Sequence, residues 1–184
     1  EEEKQQFIDI IDVNSELLLQ LINDILDISK IEAGTLEFRF RPMNLNDLCR
    51  SELEVHKPRV KPGVELVFEE RVANVEIVCD QNRLAQVISN LNNAGKFTEE
   101  GEIRFGFDLK DGRVEFFVQD TGMGIPPEKA RNIFDRFVKL NDFAAGTGLG
   151  LAISKMIVEK LDGTIGVDSE PGKGTRFHFS IPVV

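Results

Sequence analysis

At 184 residues and 41% hydrophobic content, the chain can bury one substantial core and carry an appendage. Its formal net charge of −10 argues against nucleic acid or an anionic membrane surface as the main partner, though a local cationic site for an anionic ligand is compatible with it. Cys49 and Cys79 are too few and too isolated for a disulfide framework or a zinc site, no apolar run is long enough to cross a bilayer, and no signal peptide is visible; reduced thiols in a cytoplasmic setting are expected.

In chain order, residues 3–33 contain no Pro or Gly before Gly34, which suits a helix C-terminal cap. About 30 residues at 1.5 Å each make a helix roughly 45 Å long. Phe7, Ile11, Asn14, Leu18, Leu21, Ile25 and Ile28 follow alternating spacings of four and three, a coiled-coil seam with one polar member. Leu17, Leu19 and Ile22 widen that face, so a four-helix bundle suits it better than a two-stranded coil. After Gly34 the texture changes. Leu36, Phe38 and Phe40 alternate with polar residues and predict a strand; residues 45–57 read as a helix. Val64, Leu66 and Phe68 alternate again, residues 77–79 form a short strand, and residues 81–96 a helix. "EIRFGFDLKDGRVEFFVQD" reads as two strands joined through Asp111-Gly112, a strong hairpin signal. Residues 127–135 and 149–161 look helical, and "GTIGVDS" and "TRFHFSIPVV" form a closing strand pair around Pro171-Gly172. The fold class predicted is α+β: a two-layer sandwich of a mixed, mostly antiparallel sheet with helices on one face, preceded by one long helix. The division falls between residues 1–34 and 35–184.

Three glycine clusters carry the chemical signal. "DTGMGIP" (120–126) follows a strand, "GTGLGL" (146–151) opens a helix, and "PGKGT" (171–175) lies between strands. Glycine-rich turns let backbone amides approach a ligand, and a helix N-terminus adds partial positive charge, so Gly146, Gly148 and Gly150 form a plausible phosphate cradle. The spacing fits neither a Walker loop nor a dinucleotide fingerprint. Close by in sequence, "VISNLNNAGKFT" (87–98) crowds Asn90, Asn92, Asn93 and Gly95 into a helix, where asparagine is a poor former and glycine costs about 1 kcal/mol relative to alanine.

In the order "NNAGKFT", "DTGMGI", "IFDRF" and "GTGLGL", these motifs strongly resemble the catalytic and ATP-binding domain of sensor histidine kinases, within the wider group that includes gyrase, Hsp90 and MutL. "NSELLLQLINDILDISKIEAG" looks like the second helix of the kinase dimerisation and phosphoacceptor domain. The resemblance implies ATP and Mg²⁺ as ligands. It places the Mg²⁺ oxygen ligand at Asn93, a phosphate contact at Lys96, and the acceptor for the adenine amino group at Asp120. Gly122 and Gly124 would let the backbone approach the base. Gly146, Thr147, Gly148, Leu149 and Gly150 would cradle phosphates, Lys139 would add a second basic contact, and Thr175 would lie deep in the adenine pocket. Phe134 and Phe137 would be core residues anchoring a short lid over residues 138–146. The implied partners are a second copy of the chain, through the first helix, and a receiver domain, with no nucleic acid. The implied setting is the cytoplasmic part of a larger sensor.

Two features depart from the pattern. The family's Asn box spaces its asparagines four apart; here Asn90 and Asn93 are three apart, as if one residue were lost between Leu91 and Asn92. One deletion rotates the upstream helix by about 100°. Either a local helical distortion absorbs this or a residue is absent from the sequence. Asn90 is therefore the weaker of the two assignments, and Gly95 loosens the helix further. A gyrase-type ATPase would need an acidic residue four before Asn93, where Ser89 stands, so hydrolysis should be negligible. The phosphoacceptor motif of H-E-x-x-x-P type is also absent. His178 is expected in or beside a terminal strand and His56 on the surface near a helix end, and neither is a phosphoacceptor candidate. The expected function is therefore an ATP-binding kinase domain that donates its γ-phosphate to a histidine on a helix outside residues 1–184. The alternative is a degenerate nucleotide-sensing or dimerisation module.

Overall fold

The computed structural model describes residues 2–95, 98–139 and 146–183. Helix α1 spans Glu2–Glu32. It closes at Gly34, where the Gly34 and Thr35 amides donate to the carbonyls of Ile31 and Lys30. Only its C-terminal third is docked: Asp24 and Ile28 are buried and Leu21 and Ile31 half-buried, while Phe7, Ile11, Leu18, Leu19 and Ile25 are exposed. The docked face thus follows 21–24–28–31, rotated slightly from the predicted apolar seam.

The strand expected over residues 36–40 does not form; β1 is Arg41–Asn44. One reason lies at Arg39, whose amide donates to the Asp80 carboxylate (2.7 Å) rather than to a neighbouring strand. Helix α2 (Leu45–His56) begins at Asn44, whose side chain caps the amides of Asn46 and Asp47, and runs into a 3₁₀ turn at Lys57–Arg59. Strand β2 is Val64–Glu69 and β3 is Glu76–Cys79. Asn46, fully buried, ties α2 to the connection between them: its amide donates to Glu70 and the Val72 carbonyl and accepts from the Val75 amide. Asp80 caps α3 (Gln81–Ala94). Strands β4 (Gly101–Lys110) and β5 (Arg113–Asp120) turn through Asp111 and Gly112, both at positive φ (50° and 71°), the two-residue geometry that matches strand twist. The predicted helix over 127–135 is a single turn, α4 (Pro127–Ala130), after which bonds three residues apart at Asn132 and Asp135 replace the helical ladder. Helix α5 (Gly150–Lys160) and strands β6 (Thr164–Glu170) and β7 (Gly174–Pro182) complete the fold.

The main sheet has the order β2-β4-β5-β7-β6, parallel only between β2 and β4; β1 and β3 form a separate antiparallel pair. The helices pack on one face, onto a core rich in phenylalanine, with Phe116 and Phe179 stacked at 4.7 Å. On the opposite face Phe117 is covered by the guanidinium groups of Arg71 and Arg176, 4.3 and 4.5 Å from its ring centre. Burial pushes the thiols of Cys49 and Cys79 up to about 12 and about 11, so both are unreactive at neutral pH.

His56 is not on the surface. It is 4% exposed between α2 and α3, with Nε2 2.9 Å from Ser89 Oγ and 3.3 Å from Glu52 Oε2. An imidazole has two ring nitrogens to satisfy and settles inside when such partners are offered. His178 lies on β7, half exposed, beside Asp168.

The rotated docking face makes a direct prediction. Ile28→Ala should cost about 2 kcal/mol or more in urea denaturation, because a buried isoleucine leaves a cavity. Ile25→Ala, measured at low protein concentration, should stay within about 0.5 kcal/mol.

Candidate functional site

Residues alternate faces along β5, so the parity that sends Val114, Phe116 and Val118 into the core also turns Asp120 inward at the strand's end. Its register partners are Ile103 on β4 and Thr175 on β7. Asp120 and Thr175 are both buried, at 8% and 5% exposure. Burial pushes the Asp120 carboxyl above its ordinary value, while the amides of Gly122 and Thr175 and the Thr98 hydroxyl pull it back. Gly122 N donates to Asp120 Oδ1 at 2.8 Å. The carboxylate thus ends a strand in the interior with no cation paired to it among the described residues.

The first and third glycine clusters interlock around it. A Cβ at Gly122 would come within 2.9 Å of both Asp120 Oδ1 and Thr98 Oγ1, so the bare backbone there keeps the space over the carboxylate open. Gly124 is bare for a different reason: a Cβ would meet the Glu170 carbonyl oxygen at 2.1 Å, where the two turns pack. The Met123 carbonyl accepts from Gly172 N, and Ser169 Oγ joins Ile125 N to the Thr175 hydroxyl. An open hollow of about 590 Å³ between α4 and the ends of β5, β6 and β7 has Asp120 and Thr175 in its wall.

The second cluster meets the asparagine helix through α5. Asn90 Nδ2 donates to the Gly150 carbonyl (2.9 Å) and to Ser154 Oγ (3.1 Å), bringing the asparagine helix against the start of α5. Phe137 N donates to the Gly148 carbonyl (2.9 Å), so the Phe motif and the cluster are joined. Phe134 packs edge-on against Phe177, as a core residue should. Phe137 does not: it is 65% exposed, at φ 63°, because its backbone rather than its ring makes the joint. Lys139 approaches Gly148.

Helix α3 continues without a bulge to Ala94, so no distortion absorbs the short Asn spacing. The consequence falls on two neighbouring amides. Asn93 is exposed at the end of α3, whereas Asn92 is buried with neither amide atom bonded, facing a cavity of about 110 Å³ shared with His56, Asn93 and Thr98. Lys96 lies outside the described residues, as do residues 140–145 of the expected lid. Among the described residues no cluster of His, Cys, Asp or Glu could hold a metal ion by itself.

This disposition of strands, glycine turns and asparagine helix has a known counterpart. Residues 79–184 match the family described as histidine kinase-, DNA gyrase B-, and HSP90-like ATPase. The chain belongs to that family. Among its relatives, the autoinducer 2 sensor kinase/phosphatase LuxQ of Vibrio parahaemolyticus is 40% identical, over 100% of this chain and 23% of its own length. Full-length ShkA, solved in complex with AMPPNP, superposes with a TM-score of 0.85 at 33% identity, over 99% of this chain and 39% of that one. Histidine kinase ThkA, in complex with the response regulator protein TrrA, gives a TM-score of 0.75 at 26% identity, over 97% and 51%. The chain spans about a quarter of the length of the curated relatives it matches.

Within this ATPase-family domain Gly122 and Thr175 lie against Asp120, Gly124 packs on Glu170, and Asn90 lies against Gly150 of the second cluster, while Asn93 is exposed at the end of α3. Sequence reasoning passed over Thr98, Asn92 and Ser169. Thr98 stood within the quoted asparagine stretch, but it lies in the connection before β4, and only the fold brings it beside Asp120. Ser169 gave no signal.

Asp120 yields a pH prediction. A carboxyl whose folded value is raised contributes stability that is fully present below its ordinary value of 3.8 and is lost as pH rises through the folded value. Asp120→Asn should remove that dependence and leave the ligand-free protein at least as stable as the parent at neutral pH, read by thermal unfolding across pH.

Proposed function

We propose that residues 35–184 bind Mg·ATP and act as the catalytic domain of a sensor histidine kinase, and that residues 1–34 are the second helix of its dimerisation domain. The observation that carries this reading is the buried carboxylate of Asp120, paired with no cation among the described residues, under a glycine-lined opening. Such a group accepts a hydrogen bond from an exocyclic amine and rejects a base that offers a carbonyl there, which selects adenine over guanine. Thr175 and Thr98 would complete the base pocket, with Gly122 and Gly124 keeping the backbone close. The amides of Gly146, Thr147, Gly148, Leu149 and Gly150, at the amino end of α5, would receive the phosphates, with Lys96 and Lys139 adding charge. Asn93 would offer its amide oxygen to Mg²⁺, which when bound neutralises triphosphate charge. In phosphoryl transfer of this class, positioning and charge neutralisation do most of what the protein contributes.

The γ-phosphate would pass to a histidine on another helix, since His56 is buried between α2 and α3 and His178 lies on the sheet face opposite the helices. The exposed apolar stripe of α1 would pair with a second copy, and a receiver domain would take the phosphate onward, as the ThkA–TrrA complex suggests by analogy. A second reading has one specific observation behind it: the short Asn spacing leaves Asn93 exposed and Asn92 stranded, which suits a degenerate module that binds nucleotide without Mg²⁺ or not at all.

Calorimetry with a non-hydrolysable ATP analogue separates the two. The kinase reading expects binding that tightens with Mg²⁺ and weakens by about 10²-fold or more in Asp120→Asn. Binding indifferent to Mg²⁺ would favour the degenerate module. Incubation with labelled ATP should leave no acid-labile phosphate on the chain; stoichiometric labelling would implicate His56 or His178 after all.

A further inference from the structure

Three acidic residues on the docked end of α1 reach the ATPase-family domain. Asp27 accepts from Arg83 Nη1 and Gln86 Nε2, each at 2.9 Å, and Glu32 pairs with Arg136. Asp24 differs from both. It is 7% exposed, and its side-chain partner is a neutral hydroxyl, Thr147 Oγ1, at 2.7 Å, with no cation paired to it among the described residues. The same hydroxyl oxygen accepts from Leu149 N at 3.2 Å, immediately before α5 begins at Gly150. The Asp24 carboxylate is therefore seated at the amino end of α5, inside the second glycine cluster. Leu21 and Ile28, one turn to either side, hold it there by packing. Burial pushes its carboxyl above the ordinary value, the Thr147 bond opposes the rise, and Asp27 adds to it.

A helix amino end attracts one anion readily, and a second anion brought to the same amides is repelled by the first. We propose that Asp24 is a specificity-determining residue for the nucleotide: its carboxylate, fixed on Thr147, occupies the anion-attracting end of α5 and lowers affinity in proportion to the charge a ligand brings there. ATP is penalised more than ADP, and ADP more than adenosine. By linkage, the nucleotide that binds against this penalty weakens the docking of α1 by the same factor, so the helix end reports phosphate occupancy. The inference rests on the ATP-binding reading above and adds to it the residue that sets how much charge the site tolerates.

Asp24→Asn tests it, because the amide oxygen can still accept from Thr147 while the charge is gone. Competition against a fluorescent nucleotide would give affinities for adenosine, ADP and ATP on parent and variant, with unfolding midpoints confirming that both are folded. The expected result is a graded gain in the variant: about fivefold or more for ATP, less for ADP, and none for adenosine. In parallel, ATP should speed hydrogen exchange over residues 21–31 in the parent more than in the variant. An equal change for all three ligands would mean that Asp24 acts only by packing, and no change would mean that its charge is not felt; either overturns the inference while the ATP-binding reading stands. A parent that binds none of the three would overturn both.

Discussion

The parity that fills the core from β5 also delivers Asp120 inward, at the point where the helices no longer cover the sheet, and the site is arranged around that carboxylate. Among the described residues no cation pairs with it, so the amides of Gly122 and Thr175 and the Thr98 hydroxyl supply what stabilisation it has. Gly122 belongs to the turn after β5 and Thr175 to the start of β7, and the segments around them must sit close to one another to do so. The interlock of Met123 with Gly172 and of Gly124 with Glu170 follows from that requirement. A cost is accepted in the ligand-free protein at the place where a ligand's hydrogen-bond donor would repay it, the usual relation between strain and function.

The asparagine helix answers to a different partner. Asn90 bridges to Gly150 and Ser154, which fixes the distance between α3 and the second glycine cluster. A helix can present only one face to α5, and with regular geometry up to Ala94 the choice of Asn90 for that contact decides where the next amides point. Asn92 then turns toward the sheet side, into a small cavity with His56, and Asn93 toward solvent. The short spacing is thus expressed as a stranded polar side chain rather than as a bend.

Most of the architecture could be read from periodicity: the long helix and its Gly34 cap, the hairpin at Asp111-Gly112, and the strand pair that closes the sheet. What could not be read depended on partners distant in sequence. Leu36, Phe38 and Phe40 alternate like a strand, yet Asp80, 41 residues on, takes the Arg39 amide. His56 looked like a surface residue because its neighbours are charged, and only the packing of α2 on α3 covers it and supplies Ser89. At the site, local motifs announced Asp120, Gly122 and the 146–150 cluster, whereas Ser169 and Asp24 enter through tertiary contacts that no local pattern records. Phe137 shows the reverse error: an aromatic in a motif suggested burial, but the ring is exposed and the backbone nitrogen makes the joint with Gly148.

Strand β7 is the last element in chain order, yet it lies inside the sheet, between β5 and β6, and brings Thr175 to Asp120. During synthesis every earlier segment can be available while Asp120 still lacks its Thr175 neighbour. Non-local strand insertion of this kind is a slow step because loop closure precedes the contacts that reward it. A ligand that needs Thr175 beside Asp120 can steady the domain only once β7 is in place.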